Sequence, residues 1–307
     1  MSNDKIVVIL PGHGFPIDPG AVNEDMKAEE YIGTTLLSLA IKDMLIYNGF
    51  KVFLAREGYT YNNTDTNGMV NEQINFGNSI YSDIVIAIHF NSSANKTAHG
   101  IETLYSTLNN FSDESKYLAE LIQIELINAT GLTDRRVKVV DSGVGVIKKI
   151  NRPTVLTENG FISNNKEYIW ATNPDKIKIL AEAHTKAICK YFGIEYKKKV
   201  EYPVVKIKVN NTEIEGLIIN DTSYAPVRLL LENLDKTVKW CAEESMVLVL
   251  PKSYKASANG VNIGIVNTVF EGIIINEKSY APVRLLAENF GFKVSWDAVN
   301  SEVIITK

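Results

Sequence analysis

Three side chains able to bind a metal or transfer a proton follow strand-like segments of this chain. His13 and His89 each come after an apolar run typical of a buried strand, and Glu158 comes after a third such run. Because the carboxyl ends of parallel strands meet at one edge of a sheet, these three side chains are expected to lie close together. The sequence therefore predicts a metal or catalytic site at that edge.

A carboxylate near His13 could complete a ligand set. Two histidines and one carboxylate are a common set for catalytic zinc, which leaves one position open for water. The chain has no HExxH motif, so the ligands do not come from a helix of that type. Glu29 and Glu30 open the first predicted helix, and either could reach back over the sheet edge. Structural roles remain the alternative, because acids at a helix start also complement the helix dipole.

The spacing of apolar residues predicts the elements that carry these side chains. Strands are predicted at residues 5–10, 51–55, 83–88, 101–105 and 154–157. Helices are predicted at residues 30–48, 70–80, 112–129 and 175–192. This alternation favours an α/β domain over residues 1–193, in which helices flank a mainly parallel sheet.

An internal repeat follows a polar, lysine-rich linker at residues 194–202. Within residues 203–307, the sequence Tyr-Ala-Pro-Val-Arg occurs at 224–228 and again at 280–284, an offset of 56 that also relates Trp240 to Trp296. Each copy is expected to form a hairpin, a short helix that starts near the proline, and another hairpin. The two copies are expected to pack together as a smaller α+β domain.

Composition excludes several classes of partner. The formal net charge is −4, with no basic surplus, so the sequence predicts no nucleic-acid binding. No apolar run approaches the ~20 residues of a membrane span, so no membrane insertion is expected. Cys189 and Cys241 fall in different predicted domains, which argues against a disulfide framework. The first residues lack the apolar core of a signal peptide, which predicts synthesis in the cytoplasm and release by another route.

The first domain resembles the zinc-dependent N-acetylmuramoyl-L-alanine amidases of the Amidase_3 type over residues 5–193. The matching segments, in the family's order, are LPGHGFPIDPGA at 10–21, a helix-opening glutamate, AIHFNS at 87–92, GIE at 100–102 and TENGFISN at 157–164. The resemblance implies that His13, Glu30 and His89 bind zinc, with Glu29 as the alternative to Glu30. It also implies that Glu158 is the catalytic carboxylate.

This sequence departs from the family pattern at a few positions. Leu10 replaces an acidic residue, which is expected to loosen the hold on a metal ligand by its outer hydrogen-bond partner. Phe15 replaces a glycine, and Thr34 or Thr35 stands where the family's helix has asparagine. Phe15 and Phe90 are expected to give the cleft apolar walls.

The reaction implied by the resemblance is hydrolysis of the amide between N-acetylmuramic acid and L-alanine in peptidoglycan. Zinc would polarise the carbonyl and lower the pKa of its bound water, while Glu158 moves the proton to the leaving amine. Asn91 and His99 are candidates for substrate binding, and His184 is expected to be structural.

The second domain resembles copper amine oxidase N-terminal-like repeats, on the two Tyr-Ala-Pro-Val-Arg segments and the two tryptophans. It contains no histidine, so no copper site is expected. Trp240 and Trp296 are expected in the core, with stacking on sugars as the alternative. Binding of this domain to cell-wall components is expected only by analogy, from the kinds of domain with which such repeats occur.

The chain as a whole is interpreted as a modular bacteriolytic enzyme, a phage or prophage endolysin released through a membrane lesion. A mother-cell or spore autolysin is the close alternative. A non-enzymatic wall-binding protein and a metallopeptidase that acts on free peptides are the alternatives from other classes.

Overall fold

A computed structural model describes residues 4–62, 65–200, 202–210, 212–241, 246–251, 273–275 and 278–307. Its contacts divide the chain into two compact units, Met1–Lys199 and Val200–Lys307.

The first unit is built on a six-stranded sheet. The strands of this unit are β1 (Ile6–Pro11), β2 (Val22–Asn23), β3 (Ala28–Glu29), β4 (Lys51–Leu54), β5 (Ile84–Asn91), β6 (Ile101–Tyr105), β7 (Asp134–Val139) and β8 (Thr154–Phe161). The helices are α1 (Glu30–Tyr47), α2 (Thr66–Ser79), α3 (Ser112–Thr130), α4 (Gly145–Lys149), α5 (Ile169–Thr172) and α6 (Pro174–Tyr191). The strand order in the sheet is β4-β1-β5-β8-β6-β7, and β2 pairs with β3 separately.

The sheet is mainly parallel, which confirms the predicted fold class. Every described pair in it is parallel except β6 with β8. Side chains of β1 alternate between the two faces: Val7 and Ile9 pack into one apolar cluster, and Val8 and Leu10 pack into the other. Each fully buried aliphatic side chain of this kind stabilises the fold by about 1.5–3 kcal/mol. Burial on both faces explains why the central strands are continuous apolar runs.

Two strands extend further than the sequence predicts. β5 continues to Asn91 and β8 to Phe161, because the parallel ladder pairs His89 with Glu158 before it becomes irregular. The two side chains therefore lie within strand ends rather than after them. Helix α2 also starts before its predicted first residue, since the Asp65 side chain accepts a hydrogen bond from Gly68 N at 2.9 Å and caps the first turn.

The second unit contains a seven-stranded sheet in the order β14-β15-β11-β10-β9-β17-β16. Its strands are β9 (Val204–Val209), β10 (Thr212–Ile219), β11 (Thr222–Pro226), β12 (Lys236–Cys241), β13 (Met246–Pro251), β14 (Ile273–Ile275), β15 (Lys278–Pro282), β16 (Lys293–Asp297) and β17 (Glu302–Thr306). Strands β12 and β13 form a separate hairpin. The short helices are α7 (Val227–Asn233) and α8 (Val283–Asn289).

The two repeats join through equivalent strands. β11 and β15 pair antiparallel with Ala225 opposite Ala281, so the two repeats pack together, as predicted, and they do so within one sheet. Pro226 and Pro282 each stand immediately before the first helical residue, at the N-cap rather than inside the first turn.

The prediction that Trp296 belongs to the core is wrong. Its side chain is 53% exposed on β16, which among the described strands is the last of the sheet and pairs only with β17. The side chain of Trp240 lies outside the described residues. Cys189 is buried. Among the helices in the described part of the chain, none has the length and apolar character needed to cross a membrane.

Candidate metal centre

The structure brings together the three residues predicted as ligands. His13 lies in the loop directly after β1, Glu30 is the first residue of α1, and His89 lies near the end of β5. One possible ligand atom from each residue lies within 4.8 Å of the others. Glu30 Oε1 is 3.2 Å from His13 Nε2 and 3.1 Å from His89 Nδ1. The buried residue of the glutamate pair is Glu30, and Glu29 is not part of this cluster.

Backbone contacts hold the Glu30 carboxylate in place. Its Oε1 accepts a hydrogen bond from Phe90 N at 3.0 Å, and its Oε2 accepts one from Ala21 N at 2.9 Å. The Glu30 backbone N–H in turn donates to Ala21 O at 2.9 Å. The carboxylate is therefore oriented by the loop after β1 and by the end of β5, the two segments that carry the histidines.

Two glycines leave the room that the imidazoles occupy. A Cβ on Gly12 would come within 2.3 Å of the His89 ring. A Cβ on Gly20 would meet Glu30 Oε2 and the His13 ring at 2.7 Å, and the backbone there has φ +71°. The Gly-His and Pro-Gly steps of the sequence are thus required by close packing around the cluster.

The cluster concentrates opposite charges in a buried space. Burial disfavours charge on Glu30, but the hydrogen bonds and charges of His13 and His89 outweigh it and lower the pKa of the carboxyl group. Burial also opposes protonation of His13, yet Glu30 and Asp18 raise its pKa to about 9. The pKa of His89 is lowered, chiefly by burial and also by the charge of His13. An anionic carboxylate shared by two imidazoles is a site built for a cation.

The donor set fits a divalent metal. In a tetrahedral zinc site with bonds of 2.0–2.1 Å, neighbouring ligand atoms are roughly 3.3 Å apart. The distances from Glu30 Oε1 to the two imidazole nitrogens, 3.2 and 3.1 Å, are close to this spacing.

The Asp18 carboxylate contacts His13 at Nδ1, the ring nitrogen that does not face Glu30. Its Oδ2 lies 3.0 Å from His13 Nδ1, and its negative charge helps to raise the pKa of His13. A carboxylate that contacts the other nitrogen of a metal-binding imidazole orients the ring toward the metal. Leu10, which stands where the family pattern has an acidic residue, does not support a ligand in this way. Its apolar side chain is fully buried in a hydrophobic cluster.

Glu158 lies beside the cluster on the neighbouring strand. It pairs with His89 across the parallel β5–β8 ladder, and its Oε2 is buried without a hydrogen-bond partner. Burial, followed by the charges of Glu30 and Glu102, raises the pKa of the Glu158 carboxyl well above its usual value. A carboxyl group with a raised pKa holds a proton more readily than an exposed one, as a general acid and base must.

Comparison with known proteins places this site in a family. The family described as N-acetylmuramoyl-L-alanine amidase matches residues 7–190, more than half of the chain. The chain belongs to this family. The family described as copper amine oxidase N-terminal domain matches residues 204–305.

Relatives and a solved structure agree with this assignment. An uncharacterized cell wall amidase of Bacillus anthracis is 30% identical over 193 residues, which are 61% of this chain and 35% of the relative. The endolysin of Bacillus phage SPP1 is 25% identical over 148 residues, 47% of this chain and 53% of that protein. This chain thus spans about a third to a half of their lengths. The catalytic domain of an amidase from Bacillus (Paenibacillus) polymyxa matches with a TM-score of 0.56 and 28% identity, and covers 62% of this chain and 99% of that one.

A charged group borders Glu158 on the side away from His89. Glu102 pairs with Glu158 across the antiparallel β6–β8 ladder. Its Oε2 accepts hydrogen bonds from Arg135 Nε and Lys138 Nζ, both at 2.6 Å, and its Oε1 accepts one from Asn91 Nδ2 at 3.0 Å. The predicted substrate residue Asn91 is therefore anchored next to the site.

The other two histidines lie apart from the metal cluster. His99 is exposed, with Nδ1 2.9 Å from Thr97 O, in a loop fixed at Gly100 by the buried Glu167 carboxylate. Its contact with substrate stays a prediction. His184 is fully buried in α6, which agrees with the structural role predicted for it.

Arg56 is a residue that the sequence reasoning missed. Its guanidinium is buried and donates to Gly12 O at 2.8 Å, to His13 O at 3.1 Å and to the hydroxyl of Thr35. It thereby ties the loop that carries His13 to helix α1. Its position two residues after β4 was the available signal, because that strand end lies at the same sheet edge as the site.

Proposed function

We propose that this protein is a zinc-dependent peptidoglycan amidase that hydrolyses the amide between N-acetylmuramic acid and L-alanine. The observation that carries the proposal is the His13–Glu30–His89 cluster with the partnerless Glu158 oxygen on the adjacent strand. Membership of the amidase family supports the choice of bond.

Zinc at the cluster would polarise the scissile carbonyl and lower the pKa of a water molecule toward ~7. Glu158 takes the proton of the attacking water and passes it to the departing amine of L-alanine. The raised pKa of Glu158 lets it keep that proton between the two steps. Glu30, with its lowered pKa, stays anionic throughout. The Phe90 and Ala21 amides keep its carboxylate aimed at the cluster.

The test is clearance of purified cell walls by the zinc-loaded full chain, with and without a chelator, combined with an assay for new amino-terminal alanine. Chelator-sensitive clearance with new alanine termini supports the proposal. New reducing sugars would indicate a different hydrolase. Binding without cleavage would favour the non-enzymatic wall-binding protein, and cleavage confined to free peptides would favour a metallopeptidase.

For the biological role, we propose an endolysin that acts on the wall after release from the cytoplasm. The relative encoded by phage SPP1 supports this role. The bacterial cell wall amidase relative supports the alternative, an autolysin of the cell itself. The two roles differ in when the protein is made. Accumulation on prophage induction supports an endolysin, whereas accumulation during sporulation or growth without induction would contradict it.

We further propose that the second unit binds the cell wall. The exposed Trp296 supports this role, because an indole face in solvent can stack on a sugar ring. Cosedimentation of the full-length Glu158→Gln protein with purified walls tests it. Trp296→Ala should reduce the bound fraction, and unchanged binding would remove Trp296 from the interface.

A further inference from the structure

Three aromatic side chains form a platform next to the metal cluster. The Phe15 and Tyr31 rings are 5.9 Å apart at an angle of 34°, and Tyr31 and Tyr59 are 5.6 Å apart and nearly perpendicular. Phe15 is 53% exposed and Tyr59 is 45% exposed. We name these three residues the aromatic platform. Its exposed rings offer an apolar surface that no described part of the fold covers.

The platform lies at the same sheet edge as the candidate ligands. Phe15 follows His13 by two residues, and Tyr31 directly follows Glu30. Tyr59 lies in the loop after β4, which is parallel to β1 and therefore ends at the same edge. The platform is thus continuous with the site along the chain.

Hydrogen bonds fix the platform in place. Phe15 N donates to Tyr59 O at 2.8 Å, which joins the loops after β1 and β4. The turn that carries Phe15 is closed by two hydrogen bonds between Gly14 and Asp18, of 2.7 and 2.9 Å. A surface held in this way loses little conformational entropy when it binds a ligand.

The opposite side of the site has a different chemistry. The strand order β4-β1-β5-β8-β6-β7 puts the platform on the β4–β1 side, while Glu102, Arg135 and Lys138 lie on the β6–β7 side. We name these three residues the charged flank. Its two cations exceed its one carboxylate. The cluster and Glu158 lie between the two sides, so a substrate that spans the site meets an aromatic surface at one end and a net positive one at the other.

We propose that the aromatic platform binds the sugar ring of N-acetylmuramic acid, so that the peptide extends over the charged flank. This inference rests on the proposed amidase function, in which the scissile bond joins a sugar-linked lactyl group to a peptide. A sugar ring presents C–H groups on its face and keeps its hydroxyls at the rim, which suits stacking on an aromatic ring. A peptide carries at least its terminal carboxylate, which the cations of the flank attract.

The charge beside the platform also disfavours the reverse orientation. The Tyr31 hydroxyl interacts with the Glu29 carboxylate, which puts a negative charge beside the platform. The neighbouring cation, Arg56, is buried, and its guanidinium donates to the carbonyl oxygens of Gly12, His13 and Gly58. A peptide carboxylate there would be repelled, whereas an uncharged sugar ring would not.

The experiment uses the full zinc-loaded chain and a soluble muramyl peptide. Phe15→Ala and Tyr59→Ala should each raise KM about tenfold, as expected for the loss of one stacked ring, with a smaller change in kcat. The matched control is Tyr81→Ala. Tyr81 is 86% exposed and precedes β5, at the opposite edge of the sheet, so its loss should leave KM and kcat unchanged.

Inhibition by product fragments identifies which half of the substrate the platform binds. The platform variants should weaken inhibition by a peptide-free muramic acid disaccharide about tenfold and leave inhibition by the free peptide unchanged. Weaker inhibition by the peptide instead, or no change with either fragment, would overturn the proposal. If the wild type proves inactive, the amidase proposal fails by itself, and direct titration of the disaccharide still tests the platform.

Discussion

Acid sensitivity of the first unit should depend on His184. The imidazole is fully buried, with Nδ1 2.8 Å from Leu180 O and Nε2 3.2 Å from Thr157 Oγ1. Since a carbonyl oxygen only accepts hydrogen bonds, Nδ1 must carry the proton, and Nε2 is left to accept one from the hydroxyl. The fold is therefore built around the neutral ring, and burial lowers its pKa to about 4.

The sign and size of the effect follow from proton binding. The unfolded chain takes up this proton below pH about 6.5, and the folded chain only below its lowered pKa. The stability that the neutral His184 contributes is therefore fully present above pH about 6.5, the pKa in the unfolded chain. It is lost progressively as the pH falls from that value to the folded-state pKa of about 4. The free energy of unfolding should drop by about 2 kcal/mol between pH 7 and 5, and by about 3 kcal/mol by pH 4.

The assay compares the wild type with His184→Gln by urea unfolding at several pH values, with a chelator present. Glutamine keeps a donor and an acceptor but does not titrate. It should cost stability at pH 7, and the gap to the wild type should narrow by about 2 kcal/mol at pH 5. The second unit is identical in both proteins, so its contribution cancels in the difference. A gap that stays constant with pH would refute the reasoning.

Four further substitutions test the metal centre. Glu158→Gln should lower kcat about 10²–10⁴-fold while zinc binding measured by equilibrium dialysis is kept; loss of zinc would show that Glu158 is a ligand instead. His89→Ala should lose both zinc and activity, and retained zinc would exclude it from the ligand set. Arg56→Lys should weaken zinc binding about 10-fold in a chelator competition, because lysine cannot bond Gly12 O and His13 O together; an unchanged affinity would contradict a positioning role. Gly12→Ala should displace the His89 ring and reduce zinc affinity. A wild-type affinity would show instead that the loop after β1 moves to accommodate the added methyl group.

The α/β fold and the meeting of His13, Glu30 and His89 were accessible from sequence. Buried parallel strands must be apolar on both faces, so the sequence predicts β1 and β5 from their continuous apolar runs. Because the two strands are parallel, their carboxyl ends meet at one edge of the sheet. The family resemblance implied Glu30 as the carboxylate ligand, with Glu29 as the alternative. The structure places Glu30 in the cluster, because Glu29 and Ala28 pair with Val22 and Asn23 in the β2–β3 hairpin and helix α1 then begins at Glu30.

Features that depend on neighbours in space escaped the sequence. β7 was not predicted, because its charged and partly exposed residues lack the apolar pattern of a core strand and form a sheet edge. Arg56 was missed since its partners are backbone carbonyls and hydroxyls, which leave no charge pattern. A repeated tryptophan in a strand predicts a core position for Trp296, and its exposure depends on the place of β16 at the end of the described sheet, which the sequence pattern does not reveal.

The pairing of β11 with β15 constrains how the second unit can change by duplication. The pairing is symmetric, with Tyr224 opposite Pro282 and Pro226 opposite Tyr280, so each repeat covers the open strand edge of the other. A single repeat would present that edge to solvent, where it would pair with the same edge of another chain. Loss of one copy would therefore convert this intramolecular contact into an intermolecular one.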